Sequence, residues 1–210
     1  MSSPSHPAPS PTLPRRPGEG ARSDDQLDQA SGRSSHPPPF PTGEGREGAW
    51  LKQSTALSRL GLKGPQAAAW LQQRGVSIPD LPNSWTSSSA DEQDIVVRLG
   101  ATEFFIEHAP SPLLKQLADE LAAPIPGVYP VPREDRAFVL GGEGADAVLA
   151  EMCSLNFSGL REREAVMTMM IGVAVVVVPQ GNAARRRYRI WRDPSYGDYF
   201  WSSLQDVASI

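Results

Sequence analysis

A chain of 210 residues with 40% hydrophobic content can hold one good-sized domain or two small ones, and a formal charge of −4 with no face-long basic run excludes nucleic acid as the main partner. The single Cys153 excludes an internal disulfide and a cysteine-only metal cluster. With His6 and His36 in the N-terminal stretch, a metal site would have to rest on His108 plus carboxylates, so no metal is expected.

Residues 1–49 carry ten of the 21 prolines, much Ser and Gly, and almost no large apolar residue. Such a stretch cannot bury enough surface to offset its ordering entropy, and a disordered tail is expected. It lacks the continuous apolar run of a secretory signal, and Asp24, Asp25 and Asp28 argue against a transit peptide, so the cytoplasm is the expected compartment. One hypothesis is that translation begins near Trp50. Peptides from residues 1–40 in the native protein would exclude it.

The body, 50–210, opens with a polar, partly apolar segment from Trp50 to Leu57. Leu60 and Leu62 then alternate as in a short strand, and Gly64-Pro65 starts a helix over 66–74, with proline in a first-turn position where its missing N–H matters little. The segment 79–91, rich in proline and serine, reads as a loop whose Trp85 either plugs the core edge or faces a partner. Ile95, Val97 and Leu99 predict a half-buried strand that turns at Gly100-Ala101 into a second strand over 103–107. Ser111 is placed to cap a helix through Leu113, Leu114, Leu117 and Leu121, which ends at the Pro124 to Gly127 segment.

The second half repeats this plan. Leu62 to Leu71 and Leu140 to Leu149 both keep Leu-x-Gly-x-x-Ala-x-Ala-x-Leu, as a strand passing through a glycine turn into a helix with small residues on its packing face would. A strand over 137–140 and a helix over 145–153 follow, then a charged loop over 154–163. The run from Val166 to Val178 is too short to span a membrane, and its β-branched end at Pro179 predicts a strand buried on both faces. That strand is expected to pair across Gln180-Gly181-Asn182 with Arg187 to Arg192, before a helix that begins near Asp193-Pro194-Ser195. The expected fold is therefore α+β, two pseudo-symmetric β-α-β-β-α repeats over about 50–127 and 128–210 that share one core.

Chemistry is harder to find. Gly141-Gly142-Glu143-Gly144 lacks the Gly-Lys-Ser/Thr ending of a phosphate loop, there is no Gly-x-Ser-x-Gly elbow, and Cys153 sits inside a packing helix, so no catalytic residue is assigned. The cluster Arg185, Arg186, Arg187, Arg189 and Arg192 can hold a carboxylate or phosphate through paired donors, or can be a solvated hairpin tip or a docking patch. Tyr188 and Ile190 share one strand face suited to the core. Trp191, on the other face beside Arg189, is the first choice for a partner contact, with Arg189 and Trp85 as further candidates.

The glycine-alanine helix starts, the hairpin Leu99-Gly-Ala-Thr-Glu-Phe-Phe-Ile106, the stretch from Asp135 to Leu155, and the ending Tyr188-Arg-Ile-Trp-Arg-Asp-Pro-Ser-Tyr-Gly-Asp-Tyr-Phe-Trp201 together resemble the gamma subunit of heterotetrameric sarcosine oxidase. That family is in turn similar to the folate-binding domain of the glycine-cleavage T-protein. The resemblance implies a small non-catalytic subunit whose larger partners use FAD, FMN, NAD and tetrahydrofolate. Those partners would demethylate sarcosine to glycine, with hydrogen peroxide and a one-carbon folate adduct. The alternative is a free-standing tetrahydrofolate-binding protein in which Arg187, Arg189 or Arg192 holds the folate glutamate tail.

Overall fold

A computed structural model of the chain describes residues 48–182 and 186–208; the 1–47 part of the expected tail and Arg185 lie outside them. The described residues fall in one compact unit. Its strands are β1 (Trp50–Ser54), β2 (Ser58–Lys63), β3 (Ser84–Ser87), β4 (Ile95–Arg98), β5 (Glu103–His108), β6 (Tyr129–Val131), β7 (Arg136–Gly141), β8 (Val166–Met170), β9 (Val173–Gln180) and β10 (Arg187–Arg192). Four helices, α1 (Ala67–Gln73), α2 (Pro112–Leu121), α3 (Ala145–Met152) and α4 (Gly197–Ala208), lie between and after them. All strand pairs are antiparallel, in two five-stranded sheets ordered β3-β4-β5-β2-β6 and β8-β9-β10-β7-β1.

Each glycine-turn motif sits where a strand hands over to a helix packed on its own sheet. Leu62, Ala67 and Leu71, like Leu140, Ala145 and Leu149, are no more than 1% exposed, because the alanine lets the helix approach the sheet and the leucines fill the space beneath. Ala69 and Ala147, expected on the packing face, point to solvent. The glycines have a steric cause. Gly64 and Gly142 have φ of 132° and 96°, and a Cβ on either would lie 2.3 Å from the Gly127 carbonyl oxygen or 1.8 Å from that of Gly48.

Those contacts come from the residues that lead into two strands not expected from the sequence. The opening segment forms β1, which pairs not with its own half but with β7, Trp50 opposite Gly141. The stretch after α2 forms β6 beside β2. Two further expectations are corrected. The loop over 79–91 contains β3, which places Trp85 in the core at 3% exposure. The apolar run 166–178 is a hairpin, turned at Ile171-Gly172 with φ of 44° and 80°; β9 buries Val173, Val175 and Val177 on the helix side and Val178 between the sheets while exposing Ala174, so the expected burial on both faces holds only toward its end. Three strands thus follow the first helix of each half, where two were expected.

The apolar interior is also divided differently. Among the described residues one cluster lies between α1, α2 and the first sheet, a second between α3, α4 and the second sheet, and a third between the two sheets. The layers run helix, sheet, sheet, helix, in place of the single shared core expected. Both faces of the central strands are therefore covered. At one corner the sheets are joined through the backbone, where Trp85 donates to Arg163 O at 2.9 Å and Ala165 donates to Asn83 O at 2.8 Å.

Candidate functional site

The third cluster surrounds a charged centre. Glu107 on β5 is 0% exposed and its carboxylate accepts from Arg59 Nε at 2.6 Å, Arg189 Nη1 at 2.9 Å and Trp191 Nε1 at 2.7 Å. Arg59 belongs to the same sheet as Glu107; Arg189 and Trp191 come from the other. Arg189 Nη1 also donates to Gln93 O at 2.9 Å, and the Trp191 ring meets Phe105 edge-on at 5.1 Å between centroids. Burial pushes the Arg189 pKa down and the adjacent Glu107 carboxylate pulls it back up. A carboxylate so enclosed cannot meet a substrate. Its chemistry here is to hold the two sheets in one register.

This placement corrects the surface roles expected for the aromatic and basic cluster. Trp191 and Arg189 are 1% and 2% exposed between the sheets, while Trp85, 3% exposed, takes the core-edge alternative expected for it. The expectation failed because the second face of β10 is covered by another sheet, which strand periodicity in one segment does not reveal. Arg189 is likewise engaged by Glu107 and not open to a folate tail. Arg187 is half-buried and donates Nη2 to Asp91 O. Tyr188 and Ile190 do lie in the core under α3 and α4, where burial and a hydrogen bond to Asp146 raise the Tyr188 phenol pKa.

Arg192 is different. It is 1% exposed at the end of β10, and its Nε, Nη1 and Nη2 atoms are buried without a hydrogen-bond partner among the described residues. Its guanidinium lies 6.0 Å from the centroids of both the Tyr196 and Phe200 rings. Burial lowers its pKa, with Asp193 opposing the shift.

Two concavities complete the picture. One of about 160 Å³, lined by Val76, Ile95, Ile106, Leu114 and Leu117, lies between α2 and the first sheet, with His108 Nε2 3.4 Å from Asp94 Oδ2. The other, about 290 Å³, lies by the sheet-joining corner and is polar, with Arg161, Arg163, Arg186, Glu92 and Glu162 around Trp85. Arg163 stacks over the Trp85 ring at 4.2 Å and reaches Glu92 at 3.1 Å. Among the described residues no group of three or more His, Cys, Asp or Glu is placed to hold a metal, and no helix is long and apolar enough to cross a membrane. Cys153 is buried, its Sγ 3.6 Å from Thr168 Oγ1.

Glu107 is the residue that sequence reasoning missed. Its signal was present as a charge at the end of the apolar run Phe104-Phe105-Ile106, where the hairpin strand would have been expected to turn polar toward solvent.

No protein-family model and no curated protein matches the sequence. Among solved structures, a chain of the heterotetrameric sarcosine oxidase from Corynebacterium sp. U-96, in complex with pyrrole 2-carboxylate, superposes with a TM-score of 0.65 at 22% identity. The match covers 79% of this chain and 86% of that one. The two chains share a fold. The glycine-cleavage aminomethyltransferase T from Bartonella henselae superposes over 46% of its length and 76% of this chain, with a TM-score of 0.55 and 16% identity.

Proposed function

We propose that this chain is the small, non-catalytic subunit of a cytoplasmic sarcosine-oxidase-type hetero-oligomer, in the gamma position. The observation that carries this reading is the two-way coverage, 79% of this chain against 86% of a chain from a heterotetrameric sarcosine oxidase. A match to a domain inside a larger enzyme chain would cover a small part of its partner, as it does for the aminomethyltransferase at 46%. The interior supports the same reading, since Arg189 and Trp191 are committed to Glu107 between the sheets. The two halves, each a glycine-turn strand, a helix, three strands and a second helix, are read as copies of one unit.

In this assembly the larger subunits would bind FAD, FMN, NAD and tetrahydrofolate and carry out the demethylation, while this chain contributes a docking body. The test is to tag the full chain in its own cells and analyse what co-purifies. Flavin-absorbing larger chains that oxidise sarcosine, retained through gel filtration, are the expected outcome. An untagged assembly with full sarcosine oxidase activity in cells lacking this chain would overturn the reading.

A further inference from the structure

A buried guanidinium without a counter-charge is among the least favourable placements a side chain can have, and proteins resolve it with a paired anion. Arg192 has carboxylates near it but none paired with it: its three nitrogens are buried with no hydrogen-bond partner among the described residues. The neighbouring carboxylates do not close on it. Asp193 accepts from Ser195 N at 2.8 Å and from Ser195 Oγ. Asp198, its side chain 96% exposed, accepts from Arg136 Nη1 at 2.7 Å. Asp135 contributes charge but no hydrogen bond.

A second cation strengthens the field. Arg136 is the cross-strand neighbour of Arg192 on β7, and its guanidinium covers Gly197 so closely that a Cβ there would lie 2.3 Å from Nη1. Gly197 opens α4, a helix of 12 residues that continues from the Pro194–Tyr196 turn, with the Gly197 N–H donated to Pro194 O. Arg136 is paired with Asp198, so of these two neighbouring guanidiniums Arg192 is the one whose donors are left for an anion. The cover is thin. Above Arg192 stands the Tyr196 ring, 59% exposed, on the short Pro194–Tyr196 turn.

We propose that Arg192, with Arg136 beside it, forms a binding site for a carboxylate group, opened when Tyr196 swings aside. A planar carboxylate matches the two-pronged guanidinium, and its two oxygens can satisfy two of the buried donors at once. Phe200 then forms the apolar floor, which strengthens the pairing by excluding water.

The test compares thermal unfolding of the full chain in sodium acetate and in sodium chloride at equal ionic strength, which removes general screening. Acetate at ten times its dissociation constant is expected to raise the midpoint by about 3–5 °C, saturably. Tyr196→Ala should reach the same rise at lower acetate concentration. Arg192→Met should abolish the response, and Arg192→Lys, which keeps the charge but loses the fork, should weaken acetate binding at least about tenfold; the lysine variant also serves if the methionine variant fails to fold. Equal midpoints in acetate and chloride overturn the proposal, as does an acetate response that survives in both Arg192 variants. Sodium phosphate is the third arm, and a rise equal to that with acetate overturns the assignment to a carboxylate.

Discussion

At residue scale the protein is organised by Glu107, a carboxylate taken out of water and returned three donors. Removing one member of a buried ion pair leaves the others uncompensated, at a cost of about 3–5 kcal/mol. Glu107→Ala is therefore expected to lose about that much stability in urea denaturation, and a loss below about 1 kcal/mol would contradict the enclosed geometry. Trp191→Phe keeps the ring against Phe105 but deletes the indole donor, and should cost about 1–3 kcal/mol. The sequence had placed Tyr188 and Ile190 in the core and Trp191 outside it. The first part held because apolar alternation marks one buried face of a strand. The second failed because nothing in β10 itself records that Glu107, far away in the chain, lies opposite.

At the scale of elements, caps and turns were the most legible features. Ser111 accepts from Leu114 N at 3.2 Å at the start of α2, as its place ahead of the leucine spacing had predicted. Ser111→Ala should lower the unfolding free energy by about 1 kcal/mol. The glycine turns were legible as turns, but not the reason for their strictness. Gly142→Ala meets both a left-handed φ of 96° and the Gly48 carbonyl, so a loss above about 1 kcal/mol is expected in the same denaturation series. The Asp193 turn gives a pH test. Hydrogen bonds from Ser195 hold its carboxyl below the usual aspartate range. A depressed folded pKa means that the stabilisation is complete above the unfolded pKa and is lost as pH falls through the folded value. Urea midpoints measured downward from about pH 4 should therefore fall less steeply in Asp193→Asn than in the wild type. Strands β1, β3 and β6 were missed because each is short and takes its place from a partner elsewhere, with little periodicity of its own.

At the scale of the whole molecule, the four-layer arrangement puts Cys153 behind a helix and a sheet. Thiol labelling of the native chain should be slow and should rise in step with global unfolding; fast labelling in native buffer would mean that α3 opens on its own. The amino-acid sequence by itself determined the glycine-turn motif and its second copy, the central β4-β5 and β9-β10 hairpins, the helix starts and the α+β class, because these depend on residues close together in the chain. The tertiary structure alone decided that β1 and β6 close each other's half of the chain, that the sheets stack face to face, and that Arg189 and Arg192 of β10 are buried. Those outcomes depend on which surfaces meet, and a strand carries the pattern of its own two faces but not the identity of what covers them.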